Sequence, residues 1–171
     1  METDLFEQTI LPHLDAAYNL ARWLAGNEHD ARDIVQEAAL RAFKFFGGFR
    51  GGDARAWLLA IVRNTAFTKM RAQPAQDLGP DDLDKIEDTA PQPAQVLERA
   101  GNIEAMRAAI AKLPVEFREV IVFREMENFS YKEIAELVNA PIGTVMSRLA
   151  RARAQLREII LADANLRETR S

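Results

Sequence analysis

The chain of 171 residues has no cysteine and only two histidines. Disulfides and thiolate metal sites are therefore excluded. His13 and His29 lie on or beside separate helical segments and have no cysteine partner. No apolar run approaches the ~18–20 residues that a membrane span requires, so membrane insertion is not expected. The opening METDLFEQ is acidic and lacks the basic and apolar regions of a secretory signal. No paired carboxylates flank a glycine-rich phosphate loop, so neither catalysis nor a cofactor is expected. Strand-like alternation is also missing. With 48% hydrophobic residues the chain is still rich enough to fold. The expectation is an all-α protein of the cytoplasm, with no metal and no cofactor.

Charge is unevenly spread. The net charge is -4, yet residues 1–71 carry nine acids and nine bases and are neutral. Residues 72–104 carry eight acids and two bases, whereas 105–171 carry nine acids and eleven bases. The acidity therefore belongs to the middle of the chain, and the overall balance conceals a basic C-terminal part. That middle, AQPAQDLGPDDLDKIEDTAPQPAQ, has four prolines and few large apolar residues. It buries too little surface to offset the entropy of ordering and reads as a linker. The expected organisation is two small helical domains, 1–72 and 101–171, joined by a flexible acidic linker over 73–100. Regulation by an appended C-terminal domain is not expected.

The C-terminal block begins AKLPVEFREVIVFREME, with Pro114 expected at a first helical position and Phe117, Val120, Ile121 and Phe123 apolar. Ser130 and Glu133 have the spacing of a capping box, where Glu133 needs no acid–base role. A short helix Tyr131–Val138 follows, carrying Ile134, Ala135 and Val138 on one face. Asn139 tolerates a left-handed backbone and Pro141 interrupts the helix, so a second helix is expected from about Thr144. A short helix, a tight turn and a basic helix make the helix-turn-helix plan, whose second helix enters the major groove.

That second helix, IGTVMSRLARARAQLR, has four arginines and no acid. At about 100° per residue, Val145, Leu149, Ala152 and Leu156 form one apolar stripe. Ser147, Ala150, Arg151 and Ala154 lie opposite, with Arg148, Arg153 and Arg157 on the flanks. Small residues permit close approach to a groove, and arginine can bond guanine edges or neutralise phosphates. Thr144 offers a hydroxyl and free backbone N–H groups to a phosphate. An ordinary solvated face would mix both signs of charge, and this one does not.

In the N-terminal block the segment DARDIVQEAALRAFKFF places Val35, Ala39, Ala42, Phe43 and Phe46 on an expected core stripe. The other side shows Asp33, Gln36, Glu37, Arg41 and Lys44 around Leu40. An apolar anchor with a charged rim suits protein docking, although single exposed leucines are common. GGFRGGD then puts four glycines into seven residues, an expected mobile loop, and Asp53 can cap the next helix. That helix is expected to bury Trp57, Leu58, Ile61 and Val62. The glycine loop, with its aromatic and arginine neighbours, could hold an unpaired base or simply join two helices.

Together, DARDIVQEAALRAFKFF, FRGG…WLLAIVRNTA and LPVEFREVIVFREMENFSYKEIAELVNAPIGTVMSRLARARAQLR resemble an extracytoplasmic-function (group 4) sigma factor of the sigma-70 family. The resemblance runs from about Phe6 to Ile160. It implies that domain 1–72 corresponds to sigma region 2 and domain 101–171 to region 4. It further implies that Asp33, Gln36, Glu37, Leu40 and Arg41 dock on bacterial core RNA polymerase. Phe49, Arg50, Gly51, Gly52 and Asp53, with Asn64, would capture a flipped base of the minus-10 promoter element. Ser147, Ala150 and Arg151 would face minus-35 bases, while Thr144, Arg148 and Arg153 hold phosphates. The acidic linker would thread the polymerase towards the RNA path. Promoter DNA, core polymerase and an anti-sigma factor are the implied partners. Met146 stands where the family often has a base, and Ala150 offers little beyond contact with a thymine methyl. Asn128 replaces a common glycine, and both tolerate positive φ. The alternative is an autonomous helix-turn-helix regulator with an N-terminal sensor. A rival of another class is a protein-interaction module without DNA affinity.

Overall fold

A computed structural model describes residues 2–71 and 103–169, and every regular element among them is helical. The chain divides into two compact units, Met1–Pro74 and Ala75–Ser171. The linker expected over 73–100 lies outside the described residues, apart from the boundary drawn through it.

The first unit contains α1 (Glu2–Ile10), α2 (Leu14–Ala25), α3 (Glu28–Phe45) and α4 (Ala54–Arg71). Helix α2 ends at Gly26, whose φ of 82° is open to glycine at little cost. Asn27 then caps α3, its Oδ1 accepting the Asp30 N–H at 2.8 Å. Helices α2, α3 and α4 pack on one another as a three-helix core, with α1 against α4.

The buried stripe of α3 is Ala31, Ile34, Ala38 and Ala42, not the one expected. Val35, Ala39 and Phe46 are half-buried and Phe43 is exposed; only Ala42 of the expected set is in the core. Side-chain volume points the expected stripe at Val35, Phe43 and Phe46. Helix α3 instead lies against both α2 and α4, where alanines permit close backbone approach, and its large rings are left to the rim. In α4 the core residues are Leu58, Leu59, Val62, Ala66 and Phe67, whereas Trp57 and Ile61, expected inside, are half-buried.

The second unit contains α5 (Ile103–Ala111), α6 (Val115–Ile121), α7 (Tyr131–Val138) and α8 (Ile142–Thr169). Pro114 precedes α6 as its cap, one position earlier than expected. Helix α6 widens into a π-turn over Val122–Met126, and Asn128 then reverses the chain at φ 58°. The capping box of α7 is complete: the Ser130 hydroxyl accepts the Glu133 N–H at 3.1 Å, and the Glu133 carboxylate accepts the Ser130 N–H at 3.0 Å. Asn139 ends α7 at φ 56°. Helix α8 starts at Ile142, two residues before the expected point, because the Pro141 carbonyl already accepts the Val145 N–H at 3.1 Å. Helices α5, α6 and α7 all pack on α8. Phe117, Val120, Ile121, Phe123, Ile134 and Val138 meet its apolar stripe in one core, while Ala135 is half-buried.

Arg118 closes the end of α5. Its Nε donates to the Ile110 carbonyl at 3.1 Å, and its Nη2 donates to those of Ala111 and Leu113 at 2.7 and 2.8 Å. Three carbonyls near a helix end thus find a donor. Burial pulls the Arg118 pKa below the ordinary guanidinium value, yet a cation is still what three carbonyls favour.

Candidate functional site

Helix α3 carries the first candidate surface. Leu40 is 71% exposed, the highest value among the exposed large hydrophobics of the described residues. Around it most charged side chains are paired, whereas Lys44 lies 5.5 Å from the Phe45 ring centroid. Glu37 takes Arg41 on one oxygen at 2.9 Å and Lys69 of α4 on the other at 3.4 Å. Arg41 also donates to the Thr65 hydroxyl of α4 at 3.3 Å. Asp33 lies 3.5 Å from His29, and Gln36 is exposed. Half-exposed pairs of this kind contribute only about 0–1 kcal/mol each. Their effect is to hold a charged rim in place around an apolar centre. Lys69 and Thr65 had no part in the expected site, because the contact joins residues on two different helices.

His29, Asp30 and Asp33 come within 4.8 Å of one another through their possible ligand atoms. Capping explains Asp30, which bonds Asn27, and the helical i,i+4 spacing explains the His29–Asp33 approach.

The glycine segment forms the second candidate surface. A 3-10 turn, Phe46–Gly48, hands the chain to Phe49, whose N–H donates to the Phe46 carbonyl at 3.0 Å. Gly51 and Gly52 follow at φ 87° and 90°, where nothing crowds a potential Cβ. Backbone conformation, rather than lack of room, therefore selects glycine there. Asp53 accepts the Ala56 N–H at 3.1 Å and starts α4. Phe49 is not presented to solvent as a free ring. It is half-buried, stacked on Phe46 at 5.9 Å and tilted against Trp57 at 5.2 Å. Arg50 is exposed at the loop tip. Asn64 is also exposed, but it lies roughly 15 Å further along α4 at 1.5 Å per residue. Its Oδ1 accepts from Arg63 Nη1 at 3.1 Å.

The third surface belongs to α8. Val145, Leu149, Ala152 and Leu156 are all buried, as their spacing predicts. This fixes the rotation of the helix, and Thr144, Ser147, Arg148, Ala150, Arg151 and Ala154 stay half-exposed. The Ser147 hydroxyl donates to the Gly143 carbonyl at 2.9 Å, which leaves its oxygen able to accept. The Arg151 guanidinium lies 5.9 Å from the Phe117 ring, a distant cation–π contact. Ile142 and Met146 are exposed one turn apart at the start of the helix.

Arg153 contradicts its expected role as a phosphate contact. It is only 5% exposed, and its Nε and Nη2 donate to Glu125 Oε1 at 3.1 and 2.8 Å. The flank on which it sits faces inward, towards the π-turn at the end of α6. Its partner lies 28 residues away, so spacing within α8 gave no sign of the pair.

Two family matches cover the two units. Residues 9–75 match Sigma-70 region 2, and residues 103–156 match Sigma-70, region 4. The chain is 32% identical over 157 residues to the ECF RNA polymerase sigma factor SigE of Mycolicibacterium smegmatis, covering 91% of this chain and 61% of that protein. It is 33% identical over 159 residues to the ECF RNA polymerase sigma factor SigM of Mycobacterium tuberculosis, covering 91% and 76%. Among solved structures it resembles the sigma factor RpoE of Bartonella quintana, determined in complex with the anti-sigma factor NepR. That match has a TM-score of 0.69 and 25% identity, and covers 92% of this chain and 98% of the other. The chain belongs to the sigma-70 family, in its extracytoplasmic-function class of RNA polymerase sigma factors. The autonomous regulator is not favoured, since a region 2 match stands where a sensor domain was supposed.

Proposed function

We propose that the chain works as an interchangeable promoter-reading subunit in the cytoplasm, with no catalysis of its own. Residues 1–72 dock on bacterial core polymerase and open the minus-10 element, residues 101–171 read the minus-35 element, and 73–100 tether them. Docking falls to Leu40, within the rim of Asp33, Gln36, Glu37 and Arg41. Strand capture falls to the loop Phe49–Asp53, with Arg50 for a phosphate or base, and Asn64 contacts DNA further along α4. Base reading falls to Ser147, Ala150 and Arg151, with Thr144 and Arg148 on phosphates. Arg153 is left out because it is buried.

The observation that carries this reading is the opposition within α8. A fully buried apolar stripe backs a small, basic, acid-free face directly after a capped helix and a left-handed turn. Such a face suits a polyanion with readable edges. The Bartonella complex with NepR supports an anti-sigma factor as a regulatory partner here too.

Transcription in vitro with purified chain, bacterial core polymerase and genomic DNA tests the proposal. The expected result is a set of discrete RNA 5′ ends that require the chain and share two upstream elements about two helical turns apart. Unchanged starts, together with binding of a DNA fragment by a dimer of the chain alone, would overturn it.

A further inference from the structure

The region 2 match begins at residue 9, so most of α1 lies before it. Helix α1 nevertheless joins the ring cluster that leads into the strand-capture loop. Thr3, Asp4, Leu5, Glu7 and Gln8 are exposed, while Ile10 is fully buried and Phe6 is half-buried one turn before it. The Phe6 ring stands edge-on to Phe43 at 5.2 Å and 89°, and edge-on to Phe46 at 5.3 Å and 84°. Phe46 in turn stacks on Phe49, and Phe49 leans on Trp57. Between Phe49 and Trp57 the chain makes its excursion through Arg50, Gly51, Gly52 and Asp53. Both ends of the loop are thus clamped by one run of rings, and α1 supplies the outermost. Two flexible glycines cannot themselves fix where Arg50 points, so the loop depends on what holds its ends: the Asp53 cap and the ring clamp.

We infer that Phe6 is a positioning residue for strand opening, acting through Phe46 and Phe49 without touching DNA or polymerase. The inference rests on the strand-capture reading above. It is tested with the full chain in complex with bacterial core polymerase, on a promoter the chain selects, with 2-aminopurine in the minus-10 element. Phe6→Ala and Phe6→Leu should form holoenzyme and closed complex with wild-type affinity. They should open the duplex about tenfold more slowly, the scale of losing two edge-to-face contacts. Phe6→Tyr keeps the ring and should restore the rate. If Phe6→Ala does not fold, the comparison of Leu with Tyr decides, because both refill the site.

Arg50→Ala is the reference variant. Normal opening by Phe6→Leu while Arg50→Ala is slow would overturn the role of Phe6 alone. Normal opening by both would remove the strand-capture reading and this inference with it. A loss of polymerase affinity matching the loss of opening would make α1 part of the docking surface and would also overturn it.

Discussion

Helices α3 and α8 are both amphipathic, yet their outward faces are built on opposite rules. On α3 charges of both signs are interspersed and several are paired: Arg32 with Glu28, and Glu37 with Arg41 and with Lys69 of α4. An exposed leucine sits among them. On α8, from Ile142 to Arg157, there is no acid, and past the exposed Ile142 and Met146 the outward positions are mostly small or cationic. A protein partner rewards an apolar anchor inside a neutralised rim, because buried apolar area supplies affinity and paired charges are cheaper to desolvate. Nucleic acid rewards a local excess of cations, because release of counterions from phosphate supplies affinity. The difference between the faces is therefore informative about partner class, before any residue-by-residue assignment.

Five variants would break or sharpen this contrast. The largest effect is expected from Glu125→Ala, which takes the carboxylate from a buried guanidinium. It should cost the second unit about 3–5 kcal/mol, whereas Glu37→Ala on the half-exposed network should cost the first unit about 0–1 kcal/mol. Denaturant unfolding followed by hydrogen exchange in each unit checks both. Leu40→Glu comes next: loss of a central apolar anchor should weaken polymerase binding by about 2–4 kcal/mol in a fluorescence titration.

Arg151→Ala should lower discrimination at one minus-35 base pair by about 1–3 kcal/mol, visible when start sites are compared across a library of minus-35 sequences. Arg148→Ala should have the smallest effect. It should weaken promoter binding uniformly across those sequences and reduce the salt slope by about one. An Arg148→Ala variant that changed sequence preference instead would move that residue from phosphate to base.

What was legible in the sequence was mostly local. The capping box at Ser130, the left-handed Asn139, the Asp53 cap and the buried stripe of α8 each depend on residues within a few turns of one another. Their patterns were sufficient to predict them. Contacts set by neighbouring helices were not. The stripe of α3 was rotated towards its phenylalanines, because volume alone does not reveal that α2 and α4 press on the alanine side. Arg153 passed for a DNA contact because Glu125 lies in a different helix. The rim partner Lys69 and the ring contacts of Phe6 were hidden for the same reason. The docking set on α3 and the loop Phe49–Asp53 came from family resemblance, and the structure adds their surroundings: a paired rim for one and an aromatic clamp for the other.

The central claim is a division of labour between two faces, and a reciprocal assay of two variants tests it most directly. Leu40→Glu and Arg151→Ala would each be measured for affinity to core polymerase and, at saturating chain, for the profile of RNA 5′ ends on genomic DNA. Leu40→Glu should lose affinity but keep the wild-type start sites when saturated. Arg151→Ala should keep affinity and spread to starts with a degraded minus-35 element. Equal loss of polymerase affinity by both variants would contradict the account.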